Sequence, residues 1–188
     1  AEGKASSQYF YINNPDQSMR WVFPKSNSRP TFLALYNNSG WKANCYKILF
    51  KTAYLVSAPS LLCSGSFWME KENDNLSRYY QGLLVDEYAV FTGTAGENRK
   101  AILALFQNKV CSHFVKIPLT QKATILVGNE KEQLEKLNQL DLNNWKLPKA
   151  EGTEEYLRMT NVQPQNDRKL GSHFNELHAA ALSEVYGK

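Results

Sequence analysis

Two spacings of apolar residues divide the chain. Gln8-Tyr9-Phe10-Tyr11-Ile12 and Met19-Arg20-Trp21-Val22-Phe23 are aromatic and β-branched runs, separated by the turn formers Asn13-Asn14-Pro15-Asp16-Gln17. That pattern predicts a β-hairpin over residues 8–24. Pro24 to Pro30 reads as a loop, and Thr31 to Tyr36 fits a short strand or a helical turn equally well. From about Gly40 to Val56 the spacing becomes helical. At about 100° per residue, Trp41, Cys45, Ile48, Leu49, Thr52, Leu55 and Val56 share one face, and Asn44, Lys47 and Lys51 share the opposite one. Such a helix either covers the domain with its apolar face or lies as a basic amphipathic segment on a membrane or partner. Ser57 to Ser66 is a Pro/Ser/Gly break, Glu70 to Asn75 a charged loop, and Leu76 to Leu84 a short helix.

From Glu87 onward the spacing predicts strand, turn, strand, turn, strand, helix. The strands are Tyr88–Thr92, Lys100–Phe106 and Cys111–Ile117; the turns are Gly93–Arg99 and Asn108-Lys109. Pro118 ends the third strand, since proline cannot donate to a ladder, and Thr120 is placed to cap a helix running to Leu140. Leu147–Glu151 and Glu155–Met159 read as two more strands, Asn161–Pro164 as a connector and Asp167–Tyr186 as a final helix. The expected fold class is α+β: an antiparallel sheet of about five strands with a packed helix over residues 87–164. A hairpin-plus-helix extension (1–86) precedes it, and a helix (165–188) follows.

Composition narrows the function classes. The chain has 188 residues, 43% hydrophobic and 21% charged, enough for a real core. Its net charge of +4 is too mild for a nucleic-acid binder, so no nucleic acid is expected. Cys45, Cys63 and Cys111 are odd in number, lack CxxC spacing and sit among apolar neighbours, which predicts buried free thiols rather than disulfides or a zinc site. The stretch Trp41–Val56 is interrupted by Lys42, Lys47 and Lys51 and is too short to span a bilayer. The polar start Ala1–Ser7 has no leader pattern, so a cytoplasmic location is expected.

The candidate chemistry centres on Lys116 and Glu130. Lys116 lies inside an apolar strand. With Ile125 at zero, Leu126 falls at about 100°, Glu130 at about 140° and Leu134 at about 180°, so Glu130 projects from the apolar stripe. Either charge is costly to bury alone, and the two together form a pair. The alternative is a purely structural bridge, or a lysine that snorkels to the strand's edge. The turn Gly93–Arg99 adds two glycines that let backbone N–H groups approach phosphate oxygens. Glycines in hairpin turns are common, so it is the order that matters: glycine hairpin, strand lysine, helix glutamate.

On the motifs Phe91-Thr92-Gly93-Thr94-Ala95-Gly96-Glu97-Asn98-Arg99-Lys100, Phe114-Val115-Lys116-Ile117-Pro118 and Asn129-Glu130-Lys131-Glu132-Gln133-Leu134, residues 88–164 resemble the N-terminal lobe of the protein-kinase-like superfamily. The nearest likeness is to aminoglycoside- and sugar-phosphotransferase-type kinases. The resemblance implies ATP as cofactor, covered by Gly93, Thr94, Gly96 and Asn98, contacted by Lys116, with Glu130 orienting that lysine. It also implies a hinge at Met159-Thr160-Asn161-Val162, with Met159 and Asn161 beside adenine. Magnesium would be held by residues outside this chain. The turn departs from GxGxxG by one glycine, and no HxD loop or DFG-like Asp appears. His113 falls in a strand, and His173 and His178 fall on the last helix, where surface or core placement is expected rather than a metal site.

Two functions follow. One is the nucleotide-binding lobe of a small-molecule phosphotransferase, inactive alone. The other is a non-enzymatic adaptor on a kinase-like scaffold, contacting its partner through helix 40–56. A general binding module is a third. Helix 167–186, with Leu170, Phe174, Leu177, Ala181 and Val185 in register, is expected to meet a second lobe or a homodimer partner.

Overall fold

Alternating side chains set the faces of the sheet. The computed structural model describes residues 6–36, 40–70, 75–140, 142, 145–162 and 183–184. The expected helix 167–186 therefore lies almost wholly outside the described residues. Strand β1 (Ser6–Asn13) returns as β2 (Met19–Pro24) through a turn closed by Asn14 N–H to Ser18 O at 2.8 Å and Ser18 N–H to the Asp16 carboxylate at 2.9 Å. A 3₁₀ turn (Thr31–Leu35) and helix α1 (Trp41–Leu55) follow. Then come β3 (Gly65–Glu70), a 3₁₀ segment (Asn75–Tyr80), β4 (Glu87–Phe91), β5 (Lys100–Gln107) and β6 (Val110–Pro118). Helix α2 (Gln121–Asn138) and the short strands β7 (Ala150–Gly152) and β8 (Leu157–Thr160) complete the described elements.

The class is α+β, but the sheet has eight strands, in the order β3-β1-β2-β4-β5-β6-β8-β7, with every pair antiparallel. The five strands expected from the sequence are its β4–β8 half. The hairpin adds to the same sheet because β2 pairs with β4 at Trp21↔Phe91 and Val22↔Val90. Strand β3, whose two ends fall in the expected break and charged loop, alternates half-buried and exposed residues along β1, which is enough to hold an edge strand. The Asn108-Lys109 turn has φ of 48° and 66°, the double positive φ of a type I′ hairpin.

One cross-sheet row runs Trp21–Phe91–Ile102–Lys116–Leu157, and the next runs Val22–Val90–Leu103–Val115–Arg158 on the other face. The first face buries Phe10, Ile12, Trp21, Phe23, Phe32, Phe50 and Ala89 beneath α1 and the 3₁₀ turn. The second buries Leu103, Leu105, Val115 and Ile117 beneath Tyr79, with Leu76, Tyr80 and Leu83 packed around them.

Helix α1 packs by the side opposite to its aliphatic face. Ala43, Phe50 and Ala53 are its buried residues, whereas Trp41, Ile48, Leu49, Leu55 and Val56 are exposed, and so is Cys45. The sheet offers an aromatic bed in which Phe23 stacks on Phe32 at 5.0 Å, and Phe50 meets Phe32 edge-on at 4.9 Å. Two alanines let the helix come close enough for that ring to insert, so the aromatic side wins over the aliphatic one.

Beyond Val90 the β2–β4 ladder stops, and the freed carbonyl of Tyr88 accepts from Asn27 Nδ2 at 2.8 Å and Thr31 Oγ1 at 3.2 Å. Both polar residues are buried and bonded to each other at 2.7 Å, which satisfies the backbone where strands diverge. Beside them, Glu87 accepts from Ser28 N–H at 2.5 Å, Ser28 Oγ at 2.7 Å and Arg29 Nε at 2.8 Å. Among the described residues no helix is long and apolar enough to cross a membrane.

Candidate functional site

Lys116 sits between Ile102 and Leu157 in its row, so its stem is flanked by apolar neighbours on both adjacent strands. Helix α2 lies over β6, β8 and β7. Its N-cap, Thr120, accepts from Ala123 N–H at 3.1 Å. The packing side of α2 carries Ala123, Val127, Glu130 and Leu134, while Ile125 and Leu126 face solvent. Small residues near the start and a carboxylate in the middle bring α2 against Lys116. The lysine Nζ donates to Glu130 Oε1, with the side chains 19% and 33% exposed. Glu132 and Glu135 pair along the helix with Lys136 at 2.6 Å and Lys131 at 3.8 Å.

The glycine turn hangs over the same face. Gly93 is buried with φ +81°, and a Cβ there would overlap the carbonyl oxygen of Lys100. Only glycine takes both that conformation and that approach. Gly96, at φ +138°, has open space around it, and Thr94 and Asn98 are exposed. The turn closes with Arg99 N–H to Gly96 O at 3.2 Å. Its far side is tied to α2: Thr120 Oγ1 donates to Glu97 O, and Lys122 meets the Glu97 carboxylate at 2.7 Å. Its near side is tied to β2, because Thr92 N–H donates to Arg20 O at 3.0 Å and the Thr92 hydroxyl donates to Met19 O.

A concavity of about 300 Å³ lies at this turn, lined by Phe91, the turn residues from Gly93 to Arg99, Lys100 and Ile102. Phe91 and Ile102 stand in the Lys116 row, which puts the concavity and the ion pair on one face. Two strand spacings separate Phe91 from Lys116, about 10 Å. Lys116 and Glu130 do not themselves line the concavity.

A second cleft of about 350 Å³ opens on the other flank of the turn, between Gly93-Thr94-Ala95 and the β1–β2 turn. Arg20 lines it. Its guanidinium lies 4.5 Å from the Trp21 ring centroid and 5.9 Å from that of Phe91, and it donates to Asn14 Oδ1 at 3.1 Å. The Arg20 Nε is buried without a hydrogen-bond partner. Sequence reasoning missed this cation. The available signal was a lone arginine in an otherwise apolar strand, a residue that needs either a solvent path or a partner.

The hinge residues are less open than the resemblance implies. Met159 pairs with Phe114 and Ala150 in the ladder. The N–H of Thr160 donates to Lys149 O at 3.0 Å and that of Asn161 to Ser112 O at 2.7 Å, and Asn161 Nδ2 donates to Cys111 O at 2.9 Å. Leu35 from the 3₁₀ turn packs with Phe114 against Ala104, Phe106 and Cys111. The structure thus brings Gly93, Thr94, Gly96 and Asn98 into one turn and Lys116 onto Glu130. It spends the polar groups of Asn161 on β6. The Thr160 and Asn161 N–H groups are thus already engaged within the sheet.

His113 is half-buried and bonded to Ser112 Oγ at 3.0 Å. Burial, then the Arg158 charge, push its pKa down against the pull of Glu151, which keeps it neutral at pH 7. Burial pushes the Cys63 and Cys111 thiols up to about 11, so they are protonated and unreactive. Among the described residues no group of three His, Cys, Asp or Glu side chains is placed to hold a metal ion. Comparison of the chain with protein-family models, with curated proteins and with solved structures found no match.

Proposed function

We propose that residues 87–162 are the phosphate-holding part of a kinase-like small-molecule phosphotransferase, with ATP as the ligand. The observation that carries this reading is the Lys116–Glu130 contact on the face beneath the glycine turn. In such enzymes the glutamate holds the lysine extended, and the lysine and turn N–H groups spread the phosphate charge. Arg20 adds a second cation beside the turn, on the flank away from Lys116. The role assigned to this chain is binding, because no motif in it supplies a base or magnesium ligands. The acceptor would be a hydroxyl, as on a sugar.

The test is a titration with Mg-ATP followed by thermal unfolding. A ligand that binds only the folded state at about 100 times its Kd adds about 2.7 kcal/mol. A rise in Tm that vanishes in Lys116→Ala is the expected result. No rise, in this chain or in one extended through any coding sequence beyond Lys188, would refute the reading.

The second reading is a non-enzymatic adaptor. It is favoured by the outward apolar face of α1, which contributes nothing to the core.

A further inference from the structure

We propose that the outer face of α1 docks the protein onto an anionic membrane surface. This rests on residues separate from the nucleotide reading and stands or falls without it. Five large apolar side chains of or next to the helix are exposed: Trp41 at 73%, Ile48 at 63%, Leu49 at 52%, Leu55 at 84% and Val56 at 66%. With Trp41 at zero, they occupy an arc from roughly −40° (Leu55) to roughly +80° (Leu49), while the buried Phe50 lies at about 180°. The helix is thus apolar on two opposite sides. The sheet uses one of them, and the other is spread over solvent as a patch of the kind that marks an interaction site.

The position of the lysines selects the occupant. Lys42 falls at about +100°, Lys51 at about −80° and Lys47 at about −120°, so cations border the exposed arc on both sides. Lys42 and Lys51 are themselves exposed. A groove on another protein receives a narrow ridge at i, i+3, i+4 and i+7. A wide apolar arc with amines along both margins instead matches a planar boundary, where the arc enters the acyl region and the amines reach the phosphates above it. Trp41 at the helix start is the side chain that prefers such a boundary.

The surrounding charge agrees. Helix α1 carries Lys42, Lys47 and Lys51 and no Asp or Glu, although the whole chain has a net charge of only +4. Arg29 is paired with Glu87 of β4, so the positive charge beside the arc is that of the helix lysines Lys42 and Lys51, and its complement is an anionic surface.

The experiment is co-sedimentation of the 188-residue chain with phosphatidylcholine vesicles, with and without phosphatidylserine. Binding is expected to need phosphatidylserine and to weaken as salt rises from about 0.05 to about 0.5 M. Lys42→Glu/Lys51→Glu is expected to lower the partition coefficient at least about tenfold. Ile48→Ser/Leu49→Ser is expected to abolish binding with a melting temperature close to that of wild type, because more than half of each residue's surface is already in water. If either variant melts early, quenching of Trp41 by brominated lipid, scored against Trp41→Phe in the wild-type background, gives the answer instead. Absence of phosphatidylserine-dependent binding, binding by both variants equal to that of wild type, or no Trp41 quenching would overturn the proposal. A wild-type dimer that Ile48→Ser/Leu49→Ser converts to monomer would overturn it too, by assigning the face to a second copy of the chain.

Discussion

Replacing Lys116 by Met and Glu130 by Leu, singly and together, separates the energy of the ion pair from its use. At a separation of about 4 Å and an effective dielectric near 20, two unit charges attract by about 4 kcal/mol. Against this stands the desolvation of both ions, a cost of several kcal/mol each at full burial. Side-chain exposures of 19% and 33% reduce that cost without removing it. The net coupling should be about 1–2 kcal/mol, above the median for a surface pair and below that of a sealed one. Lys116→Met leaves the partly buried Glu130 carboxylate without its cation, so a loss of about 2 kcal/mol is expected. The double variant removes both charges and fills their space with apolar atoms. It should sit within about 1 kcal/mol of wild type, or above it.

Urea unfolding read at Trp21, which is 5% exposed and changes environment on unfolding, measures all four proteins. Repeating the series with Mg-ATP gives the second axis: the nucleotide-linked gain should be absent from all three variants, including the stable double one. A double variant less stable than wild type by more than about 3 kcal/mol would make the pair a structural bridge. A double variant that keeps the nucleotide-linked gain would remove the pair from phosphate binding altogether.

Glu87 predicts a pH dependence. Burial pushes its carboxyl up, but hydrogen bonds from Ser28 Oγ, Ser28 N–H and Arg29 outweigh this and hold it below its ordinary value of 4.5. A depressed folded value stabilises fully above the unfolded value and is lost as pH falls through the folded one. Glu87→Gln should therefore cost about 2 kcal/mol at pH 7 and little near pH 3, as read from urea midpoints. Equal losses at both pH values would refute the assignment. Gly93→Ala meets both a positive φ and the Lys100 carbonyl, whereas Gly96→Ala meets a positive φ alone. The first should cost about 2–3 kcal/mol and the second about 1, by thermal unfolding; the reverse order would mean that the turn is not built as described. Thiol titration at pH 8 should show Cys45 reacting fast and Cys63 and Cys111 reacting only on unfolding. Three fast thiols would contradict the burial of Cys111 and the raised pKa of the half-buried Cys63.

The hairpin and the strand–turn–strand–turn–strand–helix run from Glu87 were legible because their signals are local: period-two apolar runs closed by Asn14-Pro15-Asp16 or Asn108-Lys109. The Lys116–Glu130 contact was legible for a different reason. Two inward charges on consecutive elements have few ways to be satisfied. What sequence alone could not give were choices made between distant segments. Residues 19–24 had to select β4 as a neighbour through only two register pairs, and a weakly patterned stretch at 65–70 had to become an edge strand along β1. The side of α1 that packs was decided by the ring positions of Phe23 and Phe32 on other elements, which no helical wheel contains. Arg20 escaped for the same reason: its place beside Gly93 exists only once β2 lies on β4.

That pairing also sets how the glycine turn behaves. A turn with two positive-φ glycines would be mobile if held only by its own strands. Here one flank is fastened through Thr92 to the carbonyls of Met19 and Arg20, and the other through Glu97 to Thr120 and Lys122 at the start of α2. The first fastening belongs to the N-terminal extension and the second to the helix that carries Glu130. Anything that moves α2 along the sheet must therefore alter both the lysine's partner and the turn's far anchor together. On the proposed reading, a turn fastened in this way would lose less conformational entropy in closing on an anion than a free one, and affinity gained by preorganisation needs no additional contact. The extension thus acts on the turn through the β2–β4 seam: its two register pairs and the Thr92 bonds hold the near flank in place while Arg20 brings a cation to it.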